Sequence, residues 1–206
     1  LAVTEHAPQL EKTCGLYYFM NYDVIPREMN GVRLLMGAEL NIMDSDGTVD
    51  LPEDVCRGLD IAIASIHPPC YQSEASVENN TRAYVEVMKK PYVNIIGHPD
   101  DSRVPVDYEV LVKTAKETGT LLELNNSSLR PQSSRVNARE NMLVMLDLCR
   151  QYEVPITTGS DAHIDADAGN FERAKELLAY CSFPEELVVT TDFEKIRPFL
   201  NIGKSL

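Results

Sequence analysis

Four histidines and two acids share one kind of position in the chain, the point where a short apolar run gives way to polar residues. Neutral imidazole and carboxylate together are ligands of Zn²⁺, Mn²⁺ or Fe, whereas Mg²⁺ and Ca²⁺ are held mostly by oxygen. The pattern therefore predicts a transition-metal site. The candidate ligands are His6, Glu39, His67, His98, Asp161 and His163.

The number of histidines in this position carries the prediction. A single histidine at the end of a strand is more often a loop cap than a metal ligand, but here all 4 histidines of the chain share the position. Asp161 and His163 would point the same way if a strand continued through them. The prolines after His67 and His98 prevent a helix from continuing there and stiffen the turn around each ligand.

A site of this composition suits phosphoryl chemistry. A carboxylate such as Glu39 or Asp161 can bridge two cations, and both acids are therefore candidate catalytic residues. Two metal ions ~3.5–4 Å apart can activate a water molecule and stabilise the charge that builds up on a phosphoryl group.

The elements that would position these residues are short, almost continuous apolar runs. Such runs are typical of strands that are buried on both faces of a parallel sheet. The predicted strands are "LAVTEH", "VRLLMGAEL", "LDIAIASIH", "YVNIIGHP", "TLLELNN", "PITTGSDAH" and a shorter "LVVTT" near the end.

Segments with helical periodicity separate several of these runs. Gly119 is placed to end the first helix, and Thr191 with Glu194 forms a capping-box pattern for the last one. The apolar stripes are Val106, Val110, Leu111 and Ala115; Met142, Met145, Leu146 and Cys149; and Phe171, Ala174, Leu177 and Leu178.

Alternating strands and helices predict an α/β fold, either a barrel or a doubly wound sheet. The chain has neither a GxGxxG nor a GxxxxGK[ST] motif, so it lacks the usual signature of the doubly wound sheets that bind nucleotides. Polar residues instead end many different strands. In a barrel those ends converge on one face, where such enzymes place their chemistry, and a barrel is therefore favoured.

Length and composition describe one globular domain, residues 1–206, with no linker or repeat. The net charge of −13 argues against nucleic-acid binding, and no stretch approaches the ~18 apolar residues of a membrane span. The 5 cysteines form no CxxC pair and indicate reduced thiols in a cytoplasmic protein; they are Cys14, Cys56, Cys70, Cys149 and Cys181.

The ordered set of strand-end motifs resembles the PHP (polymerase and histidinol phosphatase) family of metal-dependent phosphoesterases. The motifs are "TEHAP", "GAELNI", "SIHPP", "GHPDD", "ELNNSS" and "TTGSDAH", and they extend over essentially the whole chain. The likeness is greatest to the small stand-alone bacterial phosphatases. It implies a distorted seven-stranded βα barrel.

The resemblance also implies a cluster of up to three divalent metal ions, Zn, Mn or Fe. Glu39, His67 and His98 would serve one metal, with Glu39 as a bridge. Asp161 would serve another, and His6 with His163 a third. A water or hydroxide between the metals would attack phosphorus in line.

One departure from the family concerns the first strand. The family opens with a D-x-H-x-H-type motif and a further histidine, and this chain has neither. Its first residue corresponds to the second family strand. We therefore expect that the first βα unit is missing from this chain and that the metal cluster is incomplete; the alternative is a degenerate family member.

The loop "ELNNSSLRPQSSR" offers hydrogen-bond donors to a substrate phosphate. The guanidinium groups of Arg130 and Arg135 suit phosphate oxygens, and either is a candidate clamp. Asn126 is a third candidate, which would touch substrate or orient the site. The alternative is a polar loop that caps a helix starting near Val136.

Three further stretches have weaker functional interpretations. "CGLYYFMNY" is a lid or, more often for such clusters, local packing. "MDSDGTVD" faintly resembles a calcium loop but lacks its last glutamate, so a turn between short strands is favoured. Cys70 is a structural thiol rather than a nucleophile.

The sequence therefore predicts a metal-dependent phosphomonoesterase that hydrolyses a small phosphorylated metabolite. Histidinol phosphate, nucleoside monophosphates and sugar phosphates remain open as substrates. Two alternatives remain: a non-catalytic metal-binding or partner-binding module, and an amidohydrolase-type metal hydrolase, which would want a metal-bridging lysine.

Overall fold

A computed structural model describes residues 1–203 of the chain. Its centre is a parallel sheet of six strands in the order β1-β4-β5-β6-β7-β8, and β2 and β3 form a separate antiparallel hairpin. The strands are β1 Ala2–His6, β2 Glu28–Met29, β3 Val32–Arg33, β4 Leu35–Asn41, β5 Ile61–Ser65, β6 Ile95–Ile96, β7 Leu121–Asn125 and β8 Ile156–Gly159.

Helices connect most of the parallel strands, as parallel pairing requires. The helices are α1 Leu16–Phe19, α2 Glu53–Arg57, α3 Val77–Met88, α4 Tyr108–Thr118, α5 Ala138–Tyr152, α6 Glu172–Tyr180 and α7 Phe193–Ile196. Local residues set their ends. Asp107 accepts a hydrogen bond from the backbone N–H of Val110 at the start of α4, and Gly119 ends α4 with a left-handed φ of 72°.

The two faces of the sheet bury two separate apolar clusters. Successive residues of a strand point to opposite faces, so neighbours in sequence enter different clusters. The smaller cluster joins the starts of four strands to the end of the described chain: Leu35, Ile61, Ile95, Leu121, Val189 and Leu200. The larger cluster contains their strand neighbours Met36, Ala62, Ile96 and Leu122 and packs against the helices.

The sheet is strongly curled. β1 and β8 are its two edges, and a flat sheet would hold them roughly 24 Å apart across five strand spacings. Yet the ring of His6 at the end of β1 lies 5.8 Å from the ring of His163, which follows β8. The carboxyl ends of the strands therefore gather around one space, as in a half-barrel.

The predicted α/β architecture is confirmed, and the seven-strand count stays a prediction. "LVVTT" is not a strand: Glu185–Leu187 and Val189–Thr191 form 3-10 turns, and Val188 makes one parallel bridge to Ile156. "VRLLMGAEL" divides at Leu34, because its first two residues pair with β2 in the hairpin. The predicted single domain also stays a prediction.

Two details of the helix predictions are wrong. Val110 is exposed, and α4 instead buries Val112 together with Leu111 and Ala115. The residue that caps α7 is Asp192, which accepts the backbone N–H of Glu194, and not Thr191. All four residues of the α5 stripe are buried as predicted. No helix among residues 1–203 is both long and apolar enough to cross a membrane.

Candidate metal centre

The carboxylate of Glu39 lies among three imidazole rings. Its Oε2 atom is 3.1 Å from Nδ1 of His6, and its Oε1 atom is 3.3 Å from Nε2 of His67 and 2.8 Å from Nε2 of His98. The side chains come from β1, β4 and the loops after β5 and β6. Parallel register brings them together, because His6 is the direct neighbour of Glu39 in the β1–β4 pair.

Unusual backbone conformations present two of the candidate ligands. His98 has a φ of 31° and Asp161 a φ of 51°, in the left-handed region that residues other than glycine rarely adopt. The backbone N–H of His98 donates to Oε2 of Glu123 at 2.8 Å, which holds the turn. Strained backbone of this kind concentrates at functional sites.

Burial and mutual contact set the ionisation of the group. Burial alone would raise the pKa of Glu39, but its close contacts with His67 and His98 hold that pKa well below its usual range. Burial lowers the pKa of His98, against the pull of Glu39. A carboxylate beside a neutral imidazole is the pair of ionisation states that binds a transition metal.

The donor set fits a divalent cation. Candidate ligand atoms of His6, Glu39 and His67 all lie within 4.8 Å of one another, and ligand atoms around one tetrahedral zinc ion are roughly 3.4 Å apart. The Nδ1 atom of His6 is buried without a hydrogen-bond partner, although Glu39 is close. A buried polar atom left in this way is costly unless something binds it.

Asp161 and His163 lie beside this group but not in a strand. β8 ends at Gly159, so the condition for a shared direction in a strand is not met, although Nδ1 of His163 lies 3.6 Å from Oδ1 of Asp161. Asp161 accepts hydrogen bonds from Nδ2 of Asn125 at 3.2 Å and Nη1 of Arg135 at 3.4 Å. His163 is mostly exposed, and its ring faces that of His6.

An open cavity of about 440 Å³ adjoins the candidate ligands. His67, His98 and Asp161 line one part of it, so a molecule in the cavity would touch the group. The polar and charged side chains that line the rest are Asp101, Arg103, Ser127, Arg130, Gln132, Ser133, Ser134 and Arg135.

The three predicted substrate contacts differ in position. Arg130 and Arg135 line the cavity; Arg130 is paired with Asp167. Asn126 is fully buried and lies outside the cavity lining, and its Oδ1 accepts the backbone N–H of Ala174 at 3.0 Å. Its contacts link β7 to α6.

The sequence reasoning missed several polar residues that surround Glu39. Ser65 donates to Oε1 of Glu39 at 2.7 Å, and Asn41 contacts His67. Burial raises the pKa of Glu123 to about 8, aided by the charges of Asp161 and Glu39. An acid inside an otherwise apolar strand, as in "TLLELNN", was the available signal for Glu123.

A second buried acid, Asp100, follows His98 in the loop after β6. Burial raises the pKa of Asp100 to about 7 despite the charge of Arg135, whose Nε lies 3.9 Å from Asp100 Oδ1. The group thus contains more carboxylates than the metal-ligand pattern alone predicted.

The chain is similar to bacterial phosphatases along nearly its whole length. It is 42% identical to a probable phosphatase of Clostridium novyi over 200 residues, which are 97% of this chain and 81% of that relative. It is 40% identical to a probable phosphatase of a Thermoanaerobacter species over 204 residues, 99% of this chain and 82% of the relative. No family model matches the chain.

The fold is similar to that of a solved histidinol phosphate phosphatase from Lactococcus lactis, whose structure contains zinc, L-histidinol and phosphate. The TM-score is 0.56 at 15% identity, and the match covers 89% of this chain and 82% of the other. At this identity the likeness concerns the fold.

These likenesses and the site define a phosphoric monoester hydrolase. The chain belongs to the PHP family.

Proposed function

We propose that this protein is a metal-dependent phosphatase that hydrolyses the phosphate monoester of a small metabolite. The observation that carries the proposal is the ionised carboxylate of Glu39 among three imidazoles at the edge of an open cavity. The phosphatase names of the relatives support the reaction class. The zinc and phosphate of the structural neighbour support the cofactor and substrate class.

Six side chains would together hold up to three divalent cations. Bound there, they would supply Lewis acidity and lower the pKa of a bound water. The ligands are His6, Glu39, His67, His98, Asp161 and His163.

The two acids would have different duties. Glu39 is buried and ionised, and it contacts His6, His67 and His98, so it can join cations held by different imidazoles. Asp161 lines the cavity, where it would hold a cation. Both residues therefore stay the candidate catalytic residues.

The arginines would bind the phosphate. Arg135 is mostly buried, lines the cavity and is held by the hydroxyl of Ser128 at 2.8 Å and by Asp161. A guanidinium fixed in this way has donors left for phosphate oxygens and loses little side-chain freedom when they bind. Arg130 also lines the cavity, but its ion-pair partner is Asp167 and not one of the candidate ligands.

Metal content and phosphatase activity of the purified protein test the proposal together. Elemental analysis is combined with a screen of phosphorylated metabolites in the presence of Mn²⁺ or Zn²⁺. Glu39→Gln and His67→Ala should each lower bound metal and reduce activity about 100-fold or more. Glu86→Gln, a matched change at a partly exposed ion pair with Lys89, should alter neither.

The outcomes separate the proposal from its alternatives. Bound metal without hydrolysis of any phosphate ester would favour a binding module. A protein that hydrolyses phosphate esters equally well with and without Glu39 would contradict the proposed site.

A further inference from the structure

Asn41 has only one allowed amide orientation. Its Nδ2 atom lies 2.6 Å from Oδ2 of Asp50 and 3.1 Å from the carbonyl oxygen of Ala7. A carboxylate and a carbonyl can only accept hydrogen bonds, so the group that faces them must be the NH₂. Asn41 is fully buried, and no water can substitute for these partners. Its Oδ1 atom must therefore point the other way.

That orientation decides which nitrogen of His67 carries the proton. Oδ1 of Asn41 lies 2.7 Å from Nδ1 of His67. Because an amide oxygen only accepts, Nδ1 of the neutral ring must donate, and Nε2 is left with its lone pair. That lone pair lies 3.3 Å from Oε1 of Glu39. Two acceptors at this distance repel each other unless a cation lies between them.

Asp50 is the origin of this arrangement. It ends the segment "MDSDGTVD", in which Asp44 accepts the backbone N–H groups of Asp46 and Thr48 and so closes a turn. Asp50 takes no part in that turn. Its two oxygens instead accept the backbone N–H of Asn41 at 2.9 Å, the Nδ2 of Asn41, and the backbone N–H of Gln9 at 2.9 Å.

We propose that Asp50 is a positioning residue for the metal centre, acting through Asn41 to keep the proton of His67 on Nδ1 and the lone pair of Nε2 free for a cation. The inference rests on the proposed function, in which His67 is a ligand. Hydrogen bonds from a ligand's second nitrogen fix its tautomer and its direction. Here the second nitrogen of His67 donates to Asn41, the last residue of β4, and Asp50 in the loop after β4 orients the amide of Asn41.

The wild-type protein tests the tautomer without any substitution. The imidazole ¹⁵N shifts of the metal-free protein, recorded at alkaline pH, distinguish Nδ1–H from Nε2–H. With 4 histidines in the chain, the His67 signals are assigned by their loss in His67→Ala. We expect Nδ1–H; a His67 that carries its proton on Nε2 would overturn the proposal.

Asp50→Asn tests the origin of the effect. It replaces one carboxylate oxygen by an NH₂ group, so that the carbonyl of Ala7 is the one unchanged acceptor that still holds the amide of Asn41, and the preference of Asn41 to keep its oxygen toward His67 is weakened. We expect both tautomers of His67 to appear in the metal-free variant, and Zn²⁺ affinity, measured by competition with a chromophoric chelator, to fall about 10- to 100-fold. The matched control Asp46→Asn, in the same loop and paired with exposed Arg82, should stay within about twofold of wild type.

The double variant Asn41→Asp, Asp50→Asn checks that the effect is one of hydrogen-bond direction. A carboxylate at position 41 accepts from His67 in either orientation, so His67 should return to Nδ1–H. An Asp50→Asn protein with a pure Nδ1–H tautomer and unchanged Zn²⁺ affinity overturns the proposal. If wild-type protein binds no Zn²⁺, the proposed function fails, and the tautomer measurements still decide the role of Asp50.

Discussion

The Nε2 atom of His98 lies 2.8 Å from Oε1 of Glu39, although 59 residues separate them in the chain. The backbone of His98 has a left-handed φ, which residues other than glycine rarely adopt. The contact exists because β4, β5 and β6 are adjacent and parallel, so their carboxyl ends deliver side chains to the same place. The geometry of the sheet thus accounts for the candidate metal centre, and several measurable consequences follow from individual contacts.

Ser65 should stabilise the folded protein through Glu39. Its hydroxyl donates to Oε1 of Glu39 at 2.7 Å, and both residues are buried. Ser65→Ala removes a donor from a buried carboxylate, which should lower the free energy of unfolding of the metal-free protein by about 1.5–3 kcal/mol. Urea unfolding measures this, with the loop variant Ser134→Ala as a control expected to change little. Equal stabilities for Ser65→Ala and wild type would contradict a hydrogen bond of this weight.

Gly97 leaves the room that Ser65 and Glu39 occupy. A Cβ atom at position 97 would lie 2.2 Å from Oγ of Ser65 and 2.8 Å from Cγ2 of Ile63. Ser65 can rotate away only by giving up its bond to Glu39, and the branched Ile63 has little freedom. Gly97→Ala should therefore destabilise the protein by about 1–3 kcal/mol and weaken Zn²⁺ binding.

The control for this substitution is Gly15→Ala. Gly15 has an ordinary negative φ, and an added Cβ would meet nothing within 4 Å. Thermal unfolding with and without Zn²⁺ should leave Gly15→Ala close to wild type. A Gly97→Ala protein with wild-type stability and Zn²⁺ affinity would show that the strand ends can move apart easily.

Much of this site could be predicted from local sequence, because an apolar run followed by a histidine is a pattern of adjacent residues. The strand ends that carry His6, Glu39, His67 and His98 follow it. The supporting residues could not be predicted in this way. Ser65 and Asn41 act through contacts across neighbouring strands, and whether a polar residue touches Glu39 depends on the register of the sheet.

The errors have the same physical origin. "LVVTT" has the composition of a strand, but only Val188 forms a backbone bridge to the edge strand β8; Thr190 contacts β8 through its side chain, and the backbone of the run turns. The expectation for Asp161 and His163 assumed that a strand continued, whereas the left-handed φ of Asp161 redirects the chain after β8. Local composition predicts which segments can be strands, and tertiary pairing decides which of them are.

The metal-free protein should lose stability as the pH rises, because of Glu123. Its folded-state pKa of about 8 lies above the ~4.3 of an unfolded chain. A group shifted in this direction contributes stability that is fully present below the unfolded pKa and is lost as the pH rises through the folded pKa. The loss therefore falls between about pH 4.3 and pH 8. Asp100, with a pKa of about 7, acts in the same direction.

Glu123→Gln isolates this contribution. The amide oxygen of Gln can still accept the backbone N–H of His98, and the amide does not ionise. Urea unfolding of the metal-free protein across that pH range should show a smaller loss of stability for Glu123→Gln than for wild type. Parallel curves for the two proteins would mean that Glu123 does not titrate with the raised pKa.

Arg135 should contribute to the affinity for the substrate phosphate. It lines the cavity and is oriented by Ser128 and Asp161. Arg135→Ala should lower kcat/KM for a phosphate ester about 10- to 100-fold, equivalent to roughly 1.4–2.8 kcal/mol. Most of that loss should appear in KM, with weaker inhibition by inorganic phosphate. Arg135→Lys should recover only part of it, because an ammonium group cannot form the paired hydrogen bonds of a guanidinium.

Two comparisons make the Arg135 measurement decisive. Arg150→Ala removes an arginine that pairs with Asp147 and lies outside this cavity, and it should leave kcat/KM unchanged. Arg135→Ala should retain its Zn²⁺ content, because Arg135 donates a hydrogen bond to Asp161 and is not itself a metal ligand. If Arg135→Ala instead loses Zn²⁺ while KM for the remaining active protein stays the same, the arginine serves to position Asp161. The phosphate would then be bound by other residues of the cavity, with Arg130 and Arg103 the next to test.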